Sequence, residues 1–160
     1  MPILHNGDSF PELKIPAVGS GSLVIPRDLA GSYGVVLIYR GSWCPYCNAQ
    51  LAAFGRAQDR LEQLNTKVVA FSVDDEDKAE ELVRKHKLGF PVGHSADADE
   101  IAAAVGSYTN TEPKYLNSTG FVLDPDGKVI TAVYSSGAIG RLTADDVIGF
   151  LRYVQSNNRH

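Results

Sequence analysis

Cysteine is scarce in this sequence, with only Cys44 and Cys47 among 160 residues. Two thiols are too few for a scaffold that several disulfides hold together. Long apolar runs are also missing, and none approaches the roughly 20 residues of a membrane-spanning helix. The N-terminal residues MPILHNGDSF contain neither the basic nor the apolar stretch of a signal peptide. We therefore expect a cytoplasmic protein with no membrane partner.

Positive charge is in short supply as well. Lys and Arg number 15 against 19 Asp and Glu, which gives a net charge of -4. An acidic chain is a poor match to a phosphate backbone, so no nucleic-acid partner is expected. Hydrophobic residues make up 44% and charged residues 21%, which is typical of globular proteins and excludes a disordered or collagen-like chain. The length predicts one domain spanning residues 1–160.

The apolar patterns alternate between strand and helix spacing along the chain. Short apolar runs predict strands at residues 35–39, 67–73, 90–92, 121–123 and 129–134. Helical spacing predicts helices at about 45–65, from Asp74 or Asp75 to His86, at 100–105 and from Thr143 onward. The first 33 residues are expected to be irregular or to form a short edge hairpin, and residues 107–119 to form a long polar connection. This order predicts an α/β sandwich whose sheet is parallel at first and ends in an antiparallel hairpin.

The two cysteines lie in the motif Trp43-Cys44-Pro45-Tyr46-Cys47, between a predicted strand and a predicted helix. Pro45 suits the first helical position, because an N–H there has no partner within the helix. A cysteine at a helix N-terminus faces unpaired N–H groups and the positive end of the helix dipole, which favour thiolate over thiol. The second cysteine lies one turn later, so the two sulfurs can close a small disulfide. Such a pair carries out reversible two-electron chemistry.

A structural zinc site and a pair of inert cysteines are the less favoured interpretations of this motif. A single Cys-x-x-Cys is only half of a structural zinc site, and His86 and His94 are too far apart in sequence to complete it. His86 is expected to pack, half-buried, on a helix, and we expect no metal and no cofactor. If the two cysteines were only inert buried residues, the proline between them and their position at a strand–helix junction would be coincidental. A redox role is therefore favoured.

Further motifs lie at residues 34–47, at Leu88-Gly89-Phe90-Pro91-Val92, at residues 120–127 and at Gly140-Arg141. In this combination they resemble the alkyl hydroperoxide reductase/thiol-specific antioxidant family, the peroxiredoxin-like branch of the thioredoxin fold. The resemblance implies an α/β thioredoxin-like three-layer sandwich, with a central mixed sheet and a peroxiredoxin-type N-terminal extension. The tetrad Cys-Pro-Tyr-Cys itself resembles the glutaredoxin active site.

The chain departs from the family pattern at two places. If Cys47 corresponds to the family's peroxide-attacking cysteine, Cys44 replaces a Thr or Ser that orients the peroxide. Ser118 stands where the family has an arginine and where thioredoxin-like oxidoreductases have a cis-proline. Arg141 matches a second arginine of the family. The alternative interpretation is that Arg141 is an exposed side chain that forms a salt bridge.

Other residues near the motif complete the candidate site. Arg40 could lower a thiolate pKa by its charge, or it could be a solvated loop residue. Trp43 could form an apolar lip on which a partner docks, or it could cap the core, and Tyr46 lies beside it between the cysteines. Asp74 and Asp75 end a parallel strand at the same edge of the sheet as the motif, where capping the next helix is their expected role.

These observations predict a thiol-dependent antioxidant oxidoreductase that reduces peroxides through a Cys-x-x-Cys dithiol/disulfide cycle. The alternatives are a thioredoxin- or glutaredoxin-like protein disulfide reductase and, in another class, a redox-inactive binding module. We expect Cys44 to attack and Cys47 to resolve, because Cys44 lies at the helix start nearest to solvent and Cys47 on the core-facing side. A thioredoxin, a glutaredoxin or a low-molecular-weight thiol would serve as reductant. The expected assembly is a monomer or a homodimer.

Overall fold

The described part of the chain, residues 3–157 of a computed structural model, alternates strands and helices. Its strands are β1 (Leu13–Pro16), β2 (Ser22–Ile25), β3 (Tyr33–Ile38), β4 (Thr66–Phe71), β5 (Val92–Gly93), β6 (Thr109–Thr111), β7 (Lys114–Leu116), β8 (Thr119–Leu123) and β9 (Val129–Tyr134). Its helices are α1 (Pro45–Arg56), α2 (Gln58–Gln63), α3 (Glu76–His86), α4 (Ala98–Val105) and α5 (Ala144–Asn157). Within residues 3–157, every helix is too short or too polar to cross a membrane.

A five-stranded mixed sheet with the order β5-β4-β3-β8-β9 forms the centre of the molecule. Strands β3, β4 and β5 are parallel, β8 runs antiparallel to β3, and β9 runs antiparallel to β8. The register places Val36 between Val69 on one side and Phe121 on the other. These pairings confirm the prediction of a sheet that is parallel at first and ends in an antiparallel hairpin.

The two faces of the sheet bury two separate cores. Successive side chains of a strand point to opposite faces, so Val35 and Leu37 enter one core while Val36 and Ile38 enter the other. Helices α1, α3 and α5 close the first core, and helix α4 with the antiparallel hairpin β1–β2 closes the second. This arrangement confirms both the three-layer sandwich and the N-terminal hairpin.

Three predicted elements differ from those observed. The helix predicted at 45–65 is two helices, because the chain tightens at Ala57, whose N–H contacts the carbonyls of both Ala53 and Phe54. Residues 107–119 contain the hairpin β6–β7, and its short, largely exposed strands show no buried alternation that a pattern could reveal. The strand predicted at 90–92 lies at Val92–Gly93 instead.

The sheet topology positions the motif. Strand β3 lies in the middle of the sheet and ends at Ile38, and α1 begins at Pro45 after a short loop. Because β4 is parallel to β3, the residues that follow β4 lie at the same sheet edge as this loop. The cysteine pair therefore lies at the carboxyl edge of the parallel strands, where α/β folds usually place their sites.

Candidate active site

The cysteine pair occupies the first turn of α1. Cys44 directly precedes the helix with an extended backbone (φ -87°, ψ 115°), and its sulfur accepts the Cys47 N–H at 3.3 Å. Pro45 is the first helical residue, as its missing N–H predicts. The Cys44 sulfur thus takes the capping position that a Ser or Asp oxygen commonly occupies. Both cysteines are free thiols in this structure.

The surroundings of Cys44 favour its thiolate. Burial raises the pKa of this thiol, but hydrogen bonds from the Cys47 side chain and backbone N–H act against burial. The positive charges of Arg141 and Arg40 act in the same direction, and the Arg40 Nη1 atom lies 4.0 Å from the Cys44 Sγ atom. Together these contacts hold the pKa of Cys44 below its ordinary value, which is the direction expected at a helix N-terminus.

The surroundings of Cys47 favour its thiol. Burial raises the pKa of Cys47, and the hydrogen bond between the two sulfurs raises it further. The Arg40 backbone N–H and the Arg141 Nη1 atom, each 3.3 Å from the Cys47 Sγ atom, oppose this rise without cancelling it. The net effect is a pKa of Cys47 above its ordinary value, opposite in direction to that of Cys44.

The prediction that Cys44 is open to solvent is wrong. Both cysteines are completely buried, although Cys47 lies deeper, as expected from its place on the core side of α1. Cys44 is covered because the Arg40 side chain folds over the helix start and packs against the rings of Trp43 and Tyr115. A substrate reaches Cys44 only when side chains at this entrance move.

Arg40 is held by two aromatic rings and is not a solvated loop residue. Its guanidinium carbon lies 5.0 Å from the ring centre of Trp43 and 5.2 Å from that of Tyr115, both within cation–π range. Its Nη2 atom donates to the Tyr115 hydroxyl at 2.9 Å, and the Trp43 and Tyr115 rings meet edge to face at 4.9 Å. Sequence reasoning missed Tyr115, because it lies 75 residues after Arg40 in a segment without a motif.

Asn48 ties the loop before α1 to the first helical turn. Its Nδ2 atom donates to the carbonyl oxygens of Ser42 and Cys44, each at 2.8 Å. Its Oδ1 atom lies 2.6 Å from His86 Nε2, and burial is the main reason that the pKa of His86 falls below its ordinary value. A neutral His86 donates its proton to Asn48 in this geometry. His86 is half-buried as predicted, but it also supports the active-site loop through Asn48.

The two aspartates after β4 have different roles. Asp75 caps α3, because its side chain accepts the Lys78 N–H at 2.9 Å, as the sequence predicts. Asp74 is buried, and its Oδ2 atom accepts the Ser42 N–H at 2.7 Å. Burial raises the pKa of Asp74 above its ordinary value, although the Ser42 hydrogen bond opposes this rise. Asp74 therefore anchors the loop that leads to Cys44.

The structure brings most of the other predicted site residues to the pair. Trp43 and Tyr46 are 53% and 51% exposed and flank the cysteines, which agrees with an apolar lip. Arg141 contacts Cys47 instead of forming an exposed salt bridge. Ser118 is buried, its carbonyl accepts the Ser135 N–H, and within residues 3–157 no hydrogen bond joins it to either sulfur.

An apolar cavity adjoins the pair. It has a volume of about 460 Å³, and its walls include Tyr46, Ala49, Ala53, Ile139, Arg141 and Leu142. Arg141 belongs both to this wall and to the surroundings of Cys47, so one side chain separates the cavity from the redox pair. In the described residues, no three His, Cys, Asp or Glu side chains converge in a way that could hold a metal ion.

Comparison with known proteins fits this geometry. A sequence profile described as the AhpC/TSA family matches residues 6–132. The chain belongs to this family. A peroxiredoxin of Chlorobaculum tepidum is 30% identical, with 97% of this chain and 74% of the relative covered. An alkyl hydroperoxide reductase C of Mycolicibacterium smegmatis is 27% identical, with 98% and 88% covered.

Solved structures of AhpC proteins have the same fold. AhpC of Mycobacterium tuberculosis superposes with a TM-score of 0.82 over 99% of this chain and 97% of that chain, at 21% identity. AhpC of Enterococcus faecalis gives a TM-score of 0.84 over 99% and 96%, at 16% identity. Membership of the AhpC/TSA family and its peroxiredoxin relatives make this chain a thiol-dependent peroxidase with a peroxiredoxin-like thioredoxin fold.

Proposed function

We propose that the enzyme reduces peroxides by cycling Cys44 and Cys47 between dithiol and disulfide, with Cys44 as the attacking thiolate. The observation that carries this assignment is the position of the Cys44 sulfur at the start of α1, where it accepts the Cys47 N–H at 3.3 Å and lies 4.0 Å from Arg40 Nη1. These contacts favour the thiolate of Cys44 and hold its pKa below the ordinary value. The thiolate is the form of cysteine that attacks. The positions of the two residues support the cycle, because both lie in one helical turn and the Cys44 sulfur accepts the Cys47 N–H.

The cycle consists of three steps: attack on the peroxide, formation of the disulfide and reduction by an external thiol. The Cys44 thiolate attacks the terminal oxygen of R–O–O–H, the O–O bond breaks, and R–O⁻ leaves and takes up a proton to give R–OH. Cys44 is then a sulfenic acid, oxidised by two electrons. The Cys47 sulfur displaces the sulfenic oxygen as water and forms the Cys44–Cys47 disulfide. An external dithiol, or two molecules of a thiol, supplies two electrons and two protons to restore the reduced pair.

The structure favours an alkyl hydroperoxide among peroxides. The apolar cavity beside Arg141 has room for an alkyl group, and its apolar walls would remove that group from water. The name of the M. smegmatis relative, alkyl hydroperoxide reductase C, agrees with this substrate class.

A protein disulfide reductase is the second candidate function. The exposed rings of Trp43 and Tyr46 beside the cysteines favour it, since aromatic side chains are common where protein partners dock. The same surface suits a thioredoxin or a glutaredoxin acting as reductant, and a low-molecular-weight thiol is the alternative reductant. We further propose that residues 1–160 act as one domain, as a monomer or homodimer, in the cytoplasm, where thiols are kept reduced.

Stopped-flow mixing of the reduced protein with hydrogen peroxide tests the main proposal. Fast consumption is expected, with a change in the fluorescence of Trp43, the sole tryptophan of the chain. Mass spectrometry of the oxidised product should show a monomer lighter by two hydrogens. Slow peroxide consumption together with fast insulin reduction would favour the disulfide reductase. A covalent dimer as the main product would overturn the intramolecular disulfide.

A further inference from the structure

Tyr115 reaches the active site from the hairpin β6–β7. Its hydroxyl accepts a hydrogen bond from the Arg40 Nη2 atom at 2.9 Å, and its ring lies 5.2 Å from the guanidinium carbon. The Nη1 atom of the same guanidinium lies 4.0 Å from the Cys44 Sγ atom. A guanidinium is planar and rigid, so fixing one nitrogen and one face also fixes the direction of the other nitrogen.

A neutral hydrogen-bond partner such as Tyr115 suits an arginine whose positive charge stabilises a nearby thiolate. In the described chain, Arg40 forms no salt bridge, and its buried Nε atom has no hydrogen-bond partner. A carboxylate in the place of the Tyr115 hydroxyl would hold the guanidinium equally well but would neutralise much of its field. A neutral phenol holds the guanidinium and leaves its positive charge to act on Cys44.

The hairpin holds Tyr115 firmly in place. Its neighbour Leu116 is completely buried in the second core. Its other neighbour, Lys114, pairs with Asp99 of α4 at 2.7 Å. The two strands of the hairpin pair directly, with Tyr115 opposite Asn110. Tyr115 therefore projects from an element that is anchored on the far side of the sheet from α1.

We infer that Tyr115 is a positioning residue of the peroxidase: it holds the Arg40 guanidinium against Cys44 and so helps to keep Cys44 as a thiolate. This inference rests on the proposed role of Cys44 and extends the active site to the hairpin β6–β7. The other ionisable groups that act on Cys44 are Cys47 and Arg141, and Tyr115→Phe leaves both unchanged.

The test measures Cys44 alone, without peroxide. In a Cys47→Ser background, the alkylation rate of Cys44 by iodoacetamide is followed against pH with and without Tyr115→Phe. The phenylalanine keeps the ring and removes only the hydroxyl. We expect the midpoint to rise by about half a unit, so that alkylation below the midpoint becomes roughly threefold slower relative to its own plateau at high pH. The plateau rate reports access to the buried Cys44 separately. The matched control is Tyr108→Phe, because Tyr108 is 54% exposed and precedes the same hairpin.

A double-mutant cycle with Arg40→Ala tests whether Tyr115 acts on Cys44 through Arg40. If Tyr115 acts through Arg40, Tyr115→Phe shifts the midpoint no further in the Arg40→Ala protein. Arg40→Lys is a second variant, because it keeps the positive charge but loses the planar guanidinium that Tyr115 holds. The midpoint of Cys44 alkylation should also rise in this variant. An unmoved midpoint in Tyr115→Phe, or equal shifts with and without Arg40, would overturn the inference. Peroxide consumption by the parent enzyme is measured separately, so its failure would count against the proposed function and not against Tyr115.

Discussion

Cys44 and Cys47 lie on the same helical turn, but the protein surrounds the two sulfurs differently. The Cys44 sulfur caps the helix, accepts a first-turn N–H and faces the side chain of Arg40. The Cys47 sulfur lies deeper, on the core side of α1, and faces Arg141 and the backbone N–H of Arg40. An arginine lies near each sulfur, but only Cys44 has its pKa lowered, so we attribute the difference between the two thiols to their burial and their positions on the helix.

Replacing each cysteine should separate these roles most strongly. Cys44→Ser removes the thiolate, so we expect the second-order rate with hydrogen peroxide to fall by at least ~1,000-fold. Cys47→Ser keeps the attacking residue, so the first turnover should remain while steady-state turnover falls unless an added thiol resolves the sulfenic acid. Stopped-flow peroxide consumption measures both quantities. Retained fast consumption in Cys44→Ser would show that Cys44 is not the attacking residue.

Replacing Arg141 should slow both steps of the cycle. Its guanidinium lies 3.3 Å from the Cys47 sulfur and its charge also lowers the pKa of Cys44. We expect Arg141→Ala to slow the peroxide reaction and disulfide formation by about tenfold, which is the size of one charge-assisted contact. Single-turnover kinetics followed by Trp43 fluorescence and by trapping of the sulfenic acid measure the two steps. Arg152→Ala, at an exposed position, is the matched control. Equal rates in the two variants would show that Arg141 does not contribute to either step.

The pH dependence of the first step follows from the lowered pKa of Cys44. As pH falls through that pKa, the thiolate is protonated and the rate declines, and above it the rate is level. The midpoint is expected below the ordinary thiol value of about 8.5. Arg40→Ala should move it up and slow the neutral-pH rate severalfold. The rate of peroxide reaction across pH gives the midpoint, and a value at or above the ordinary one would contradict the thiolate assignment.

The order of strands and helices along the chain and the start of α1 were predicted better than the contacts that tune the site. Val35 to Tyr39 and Pro45 lie in local patterns that burial and helix geometry dictate, so they could be read directly. Tyr115 could not, because its contact with Arg40 depends on how a hairpin without buried alternation folds onto the sheet edge. The burial of Cys44 was missed for the same reason, since the side chains that cover it come together only in the tertiary structure.

Filling the apolar cavity should have the smallest effect and should spare hydrogen peroxide. Ala49 is a residue of the cavity wall, so Ala49→Phe should occupy space meant for an alkyl group. We expect the rate with a bulky alkyl hydroperoxide to fall about threefold, with no change for hydrogen peroxide. Ala103→Phe, on an exposed position of α4, is the matched control. An equal fall in rate with both peroxides, or no fall with either, would show that the cavity does not bind the alkyl group of the substrate.

Trapping of the sulfenic acid tests the central claim most directly. Each single variant, Cys44→Ser and Cys47→Ser, is treated with one equivalent of hydrogen peroxide and a dimedone-type probe, and the adduct is located by mass spectrometry. We expect rapid labelling of Cys44 in Cys47→Ser and little labelling in Cys44→Ser. Rapid labelling of Cys47 in Cys44→Ser, with none in Cys47→Ser, would show that Cys47 attacks and would reverse the assignment.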